Sequence, residues 1–174
     1  MGKIAMGAGA LAAMMLLHSS PGVADEQACR GFNWALDTEI GWMSAPDAEA
    51  MPSGGTLATP PAKAIALALK PSGSEALPVI SGVKKQAVGA DSFSGWIKIG
   101  RLEKAGAYHV SLSREGWIDV AQDGKLVDST GFTGKPECTI LRKSVSYELG
   151  PGETLIQIVG APSDVIKVTI KPAN

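Results

Sequence analysis

The sequence contains little of what metal centres, nucleic-acid surfaces and cofactor sites are usually built from. It has two cysteines, two histidines, 5% aromatic residues and a formal net charge of −1. A near-neutral chain without a basic cluster argues against nucleic acid or an anionic membrane surface as a partner. Two separate cysteines without a C-x-x-C spacing make a poor zinc site. We therefore predict no metal, no cofactor and no nucleic-acid partner.

The sequence also lacks an apolar run long enough to cross a membrane. Its longest such run, residues 4–17, follows Lys3 and is shorter than the roughly 20 residues of a spanning helix. Pro21 follows, and then Gly22 and Ala24, small residues at the −3 and −1 positions that a signal peptidase reads. This layout predicts a signal peptide over residues 1–24, a periplasmic or secreted protein, and no membrane span in the mature chain.

Both cysteines, Cys29 and Cys138, lie after the predicted cleavage site. An even pair in an oxidising compartment is typical of a disulfide. We predict that it ties the N-terminus to the middle of the chain. Residues 25–174 are expected to form a single domain.

The predicted mature chain has two parts that differ in composition and polarity pattern. Residues 43–95 are rich in Pro, Gly, Ser and Ala and offer few strands, whereas residues 96–172 show short segments of alternating polarity that indicate the main β core. Alternation also predicts a strand near Phe32, Trp34 and Leu36, and the stretch 35–43 is left open between strand and helical turn. About eight strands with one polar face each predict an all-β protein, an antiparallel β-sandwich with a jelly-roll-like arrangement.

The segments KAGAYHVSLS, WIDVAQDGKLVDS and YELGPGETLIQIVG place glycines at turns between alternating strands. With these features, residues 102–172 resemble the bacterial pre-peptidase C-terminal domains, small jelly-roll-like β-sandwiches that accompany secreted enzymes. The matching positions are Gly106, Asp123-Gly124, Leu149, Gly152 and Gly160. The resemblance implies a non-catalytic accessory or binding role and transfers no catalytic residues.

Two tryptophans fall opposite the aliphatic stripes of their strands. Trp96 alternates with Ile97 and Ile99, and Trp117 with Ile118 and Val120. A flat indole ring can stack against the C–H face of a sugar, while neighbouring groups such as Asp119 or His109 bind its hydroxyls. The alternative is that segment 43–95 packs over both tryptophans.

Candidates for catalysis are few. His109 lies in mid-strand beside serines, without the strained turn that presents a nucleophilic serine. Glu115 and Asp119 flank Trp117 and could act as paired carboxylates on a glycosidic bond. Arg142 and Lys143 form a small basic spot that we expect to be solvated.

These observations predict an exported, non-enzymatic binding or accessory domain that engages a partner protein or a saccharide. Its ligand-binding residues are expected to be Trp96, Trp117, Asp119 and His109. The alternative is a small secreted hydrolase that uses Glu115 and Asp119. No catalytic residue is assigned in the first case, and convergence of the two carboxylates in one concave pocket would favour the second.

The predicted export signal can be tested directly, because cleavage after Ala24 would leave Asp25 as the first residue. We expect the intact mass of protein from the exported fraction to match a chain that starts at Asp25. A mass that retains residues 1–24 would contradict the prediction.

Overall fold

The computed structural model describes residues 27–83 and 88–173. The elements that lie entirely within them include the helix α1 (Asp37–Ser44) and twelve strands. The strands are β1 (Glu49–Pro52), β2 (Gly55–Leu57), β3 (Ile65–Ala68), β4 (Lys70–Pro71), β5 (Phe93–Leu102), β6 (Gly106–Leu112), β7 (Trp117–Gln122), β8 (Lys125–Leu126), β9 (Ser129–Gly134), β10 (Lys143–Leu149), β11 (Gly152–Ala161) and β12 (Val165–Pro172).

The strands form two sheets that pack face to face. Sheet A has the order β1-β3-β12-β6-β10-β9, and sheet B has the order β2-β5-β11-β7-β8 with β4 beside β5. The prediction of an all-β sandwich is confirmed. The estimate of about eight strands was too low, and the sheets are mixed rather than purely antiparallel.

The extra strands lie mainly in the Pro/Gly-rich part of the chain. There β1 pairs in parallel with β3, and β2 pairs in parallel with β5. Both are edge positions, where short strands tolerate Pro52 and Gly55 because few ladder hydrogen bonds are lost. Segment 43–95 thus contributes β1 to β4 in addition to its loops, with β1 and β2 at sheet edges and β3 between β1 and β12.

The core between the sheets consists of the aliphatic stripes that alternation predicts. Ile97, Ile99 and Ile156 from sheet B are fully buried, as are Val110 and Ile170 from sheet A. They belong to one continuous cluster that includes residues of both sheets. Each such side chain contributes about 1.5–3 kcal/mol by leaving water, which makes this layer the main source of stability.

The N-terminal part of the described chain packs on the outer face of sheet A. It is anchored there by the Cys29–Cys138 disulfide, as predicted, which joins positions 109 residues apart. A second apolar cluster forms beneath it, with Leu36, Met43 and Leu141 buried. Several polar alternate positions of sheet A, among them His109, Ser111 and Thr169, are therefore buried beneath the chain itself, where the alternation suggested a wet face.

Residues 35–43, left open between strand and helical turn, are mostly helical. Lys167 on β12 donates from Nζ to the carbonyl oxygens of Met43, at 2.5 Å, and Ala45, at 3.0 Å. A cation at a helix C-terminus satisfies carbonyls that have no partner within the helix. The strand expected near residues 32–36 does not form, because Trp34 and Leu36 pack against sheet A as part of an irregular segment.

The predicted signal peptide, residues 1–24, lies outside the described residues and stays a prediction. Among the residues that the structure does describe, no helix is long and apolar enough to cross a membrane.

The disulfide is expected to carry a large part of the stability of the sandwich. Replacing both cysteines in Cys29→Ala/Cys138→Ala should lower the free energy of unfolding by about 2–5 kcal/mol, because the unfolded chain regains the freedom of a very long loop. Denaturant unfolding measures this loss. Ser44→Ala, an exposed position in α1, serves as control and should stay within about 0.5 kcal/mol of the wild type. Equal midpoints for the double variant and the control would refute the expectation.

Candidate functional site

The two sheets do not end together on one side of the sandwich. Sheet A ends in β10 and β9, and sheet B ends in β7 and the two-residue β8. Because β8 pairs only with Ala121 and Gln122, the first part of β7 has no strand neighbour on that side. An open cleft of about 530 Å³, the edge cleft, lies between β7 and the pair β9–β10. Its lining residues are Glu115, Trp117, Ile118, Ser129, Phe132, Gly134, Pro136, Arg142, Lys143, Val145 and Tyr147.

The floor of the edge cleft is apolar and continuous with the core. Ile118, Val145 and Tyr147 line it and are buried. Tyr147 Oη donates to the carbonyl oxygen of Ile118 at 3.0 Å, which bridges the two sheets and satisfies a carbonyl on the open edge of β7. Burial raises the pKa of Tyr147 far above its ordinary value, and the nearby Asp119 charge adds to the rise. The hydroxyl therefore remains a donor at any physiological pH.

The rim of the edge cleft carries two exposed aromatic side chains. Phe132 of β9 is 71% exposed and Trp117 of β7 is 43% exposed. Phe132 is the β9 partner of Val145, so it lies on the inner face of sheet A. It is exposed because sheet B has no strand opposite it. Side chains of this size on a rim are typical of binding sites.

One end of the edge cleft is charged. Arg142, just before β10, forms an ion pair through Nη2 with Oε1 of Glu115 in the connection between β6 and β7. Lys143 shares the inner face of β10 with Val145 and Tyr147, where alternation requires an apolar residue. It is half-buried, and no hydrogen bond or ion pair is found for its Nζ within the described residues. Burial lowers the pKa of Lys143, Glu115 acts in the opposite sense, and Arg142 lowers it further.

The outer face of sheet B carries three of the predicted site residues. Trp96, Gln157 and Asp119 form a row across β5, β11 and β7, and Trp117 follows Asp119 at the next position on this face. Trp96 is half-buried against the turn at Gly54. Trp117 retains exposure at the rim of the edge cleft.

Asp119 is buried at the centre of a hydrogen-bond network. Its Oδ1 accepts from Trp117 Nε1 at 2.7 Å and from the backbone N–H of Gly82 at 3.1 Å. Its Oδ2 accepts from Gln157 Nε2 at 3.2 Å. The carboxylate therefore fixes the plane of the Trp117 indole.

Residues 79–83, the cover segment, lie over this network. The side-chain amide of Gln157 donates to the carbonyl of Val79 and accepts from its N–H, as a neighbouring strand would. A side-chain carbon at position 82 would lie 3.3 Å from Asp119 Oδ1, so Gly82 permits the close approach. Segment 43–95 thus packs over part of this face, the alternative raised from the sequence, although Trp117 remains partly open.

His109 lies apart from the other three predicted site residues. It is on the outer face of sheet A, 7% exposed, with its ring stacked on Trp34 at a centroid distance of 4.7 Å. Burial is the main cause that lowers the pKa of His109, and Lys171 contributes. The four predicted residues therefore do not form one site, and His109 packs beneath the N-terminal segment.

The two carboxylates of the hydrolase alternative do not converge on one pocket. Glu115 lines the edge cleft in its pair with Arg142, whereas Asp119 lies under the cover segment. Within residues 27–83 and 88–173, no group of three or more His, Cys, Asp or Glu side chains could hold a metal ion.

Of the residues that distinguish the edge cleft, Trp117 was among the predicted site residues, whereas Phe132 and Lys143 were not. Phe132 lies in STGFTG, which shows no clear alternation. Lys143, expected to be solvated, instead faces into the sandwich. The sequence did contain a signal for this orientation. Lys143 is two residues before Val145, so the alternation that places Val145 and Tyr147 on the inner face of β10 places Lys143 there too.

The burial of a neutral His109 predicts a dependence of stability on pH. A folded-state pKa below the unfolded value means that stability is present above about pH 6.5 and is lost as the pH falls toward the folded pKa. Glu39, buried near Lys171, acts in the opposite sense because its pKa is raised by burial. We expect unfolding free energies measured between about pH 7.5 and pH 5 to fall more steeply for the wild type than for His109→Gln. Parallel curves would contradict this expectation.

Comparison with known proteins does not assign the chain to a family. No protein-family model matches the chain, and no curated protein matches it. The resemblance of residues 102–172 to pre-peptidase C-terminal domains therefore stays a prediction.

Proposed function

We propose that this protein is a non-enzymatic binding domain that engages a partner protein through the edge cleft. The observation that carries the proposal is the pair of large aromatic side chains, Phe132 and Trp117, that remain exposed at the rim of an apolar cleft. Burying such side chains against a partner would recover the free energy that their exposure to water costs. The volume of about 530 Å³ lies within the usual range of ligand pockets.

The walls of the cleft favour an apolar group as its occupant. Ile118, Val145 and the ring of Tyr147 offer aliphatic and aromatic contacts, and the Tyr147 hydroxyl is already used by the Ile118 carbonyl. Saccharide hydroxyls would find few partners on this floor. An apolar side chain presented by a partner protein would find matching surface.

A saccharide ligand is the second candidate, supported by Trp117 alone. Its indole is 43% exposed and is held in place by the bond from Nε1 to Asp119. A rigid, partly open aromatic face is what stacking on a sugar ring requires. Binding of this kind would be lost in Trp117→Ala and unaffected by Phe132→Ala, whereas an occupant of the cleft would respond to both.

The proposed site can be tested with a neutral aromatic probe before any partner is identified. Phenylbutanol is expected to shift the Trp117 indole N–H signal in NMR titrations, because it fills the apolar cleft beside that ring. Phe132→Ala should weaken binding several-fold while leaving the free energy of unfolding within about 0.5 kcal/mol, since this side chain is mostly exposed.

The matched control is Ile80→Ala, which removes another exposed apolar side chain, 93% accessible, that does not line the cleft. It should bind phenylbutanol like the wild type. Absence of a saturable shift, or equal affinities for Phe132→Ala and Ile80→Ala, would overturn the proposed function.

A further inference from the structure

We infer that the edge cleft captures the C-terminal residue of its partner protein, with the apolar side chain on the cleft floor and the chain-terminal carboxylate at Lys143. This inference rests on the proposed function and names the chemistry of the partner. It depends on three features of the cleft: a half-buried ammonium group without a partner, the short distance from that group to the apolar floor, and the location of both on the inner face of β10.

The first feature is the position of Lys143. It lies on the inner face of β10, in line with Val145 and Tyr147 and opposite Leu112 of β6 and Gly134 of β9. An amino group at such a place loses hydration, and burial lowers the pKa of Lys143 accordingly. An anion bound beside it would compensate for that loss.

The charges around Lys143 leave the cleft end positive. Arg142 and Lys143 are cations, and Glu115 is the one anion among the lining residues. Glu115 is paired with Arg142 through Nη2. One positive charge therefore remains uncompensated at this end, and an anionic group complements it.

The second feature is the short distance along the chain between the apolar and cationic parts of the cleft. Lys143 and Val145 are successive positions on the inner face of one strand, about 7 Å apart by strand geometry. An occupant must therefore carry its anionic group close to its apolar group. A residue at a chain terminus satisfies this requirement, because its carboxylate is attached to the same α-carbon as its side chain.

The third feature is the location of the cation and the apolar floor. Both lie on the inner face of β10, so an occupant must enter the gap between β10 and β7 to reach them. An internal Asp or Glu would require the chain to enter and leave the gap with its amide groups unpaired. A chain end brings only one strand of backbone, which favours the terminal carboxylate over an internal one.

The test compares an acetylated tripeptide that ends in phenylalanine with a free carboxylate against the same tripeptide with a C-terminal amide. Affinities are measured by NMR at the Trp117 indole. We expect the free acid to bind about tenfold more tightly than the amide, a difference of about 1.4 kcal/mol. Lys143→Met should abolish this difference while keeping the apolar stem, and Lys143→Arg should retain most of it.

Two further variants sharpen the result. Lys125→Met removes an exposed cation on β8, outside the cleft, and should leave the acid-over-amide ratio unchanged. Glu115→Gln removes the anion that pairs with Arg142 and should increase the affinity for the free acid a few-fold, with little effect on the amide. Near-ultraviolet circular dichroism checks that each variant keeps the native fold.

Equal affinities for acid and amide in the wild type, or a ratio that survives in Lys143→Met, would overturn the inference. If both peptides bind and both weaken in Phe132→Ala, the proposed function still stands. If neither peptide nor phenylbutanol shifts the Trp117 signal, both fail. Tighter binding of octanoate than of the free-acid tripeptide would identify a free amphipathic carboxylate as the occupant and would also overturn the assignment to a partner's chain end.

Discussion

The aliphatic layer between the two sheets is the constraint on which the rest of the structure depends. Both sheets contribute fully buried side chains to it, among them Ile97, Ile158 and Ile170. At one side, however, sheet A continues through β10 and β9 beyond the point where sheet B ends. The inner face of β9 therefore has nothing to pack against. The edge cleft is the consequence of this mismatch, since an apolar layer that lacks half of its partner is itself a surface for binding.

The outer faces of both sheets are occupied in part by the chain itself, and this restricts where a ligand can bind. On sheet A, Ser111 and Ser144 bond to each other at 2.8 Å beneath the N-terminal segment. On sheet B, Gln157 pairs with Val79, and Asp119 accepts from Gly82. A ligand on these faces would have to replace contacts that are already satisfied, whereas in the edge cleft it would cover the exposed side chains of Phe132 and Trp117.

The sequence was most informative where burial and alternation agree. The inward stripes of β7, β10 and β12 and the disulfide followed from local pattern and composition. The short strands β1, β2 and β9 did not, because most of their residues are polar or small and they pair with neighbours that are distant in the sequence. The cleft could not be predicted either, because it too depends on contacts between residues that are distant in the sequence. Phe132 and Trp117 belong to different sheets, so their common rim is set by tertiary packing, and alternation describes only one strand at a time.

Lys143 shows how a departure from a local rule can indicate function. An inward-facing charge can protect a sheet against edge-to-edge association, and such residues are found on edge strands for that reason. Here β10 is not the edge, because β9 covers it, and protection would be expected on β9. Glu115 could neutralise Lys143 but is paired with Arg142. A half-buried cation that neither protects a sheet edge nor forms a pair within the described chain lowers the stability of the fold. Residues that lower stability in this way are found mainly at functional sites.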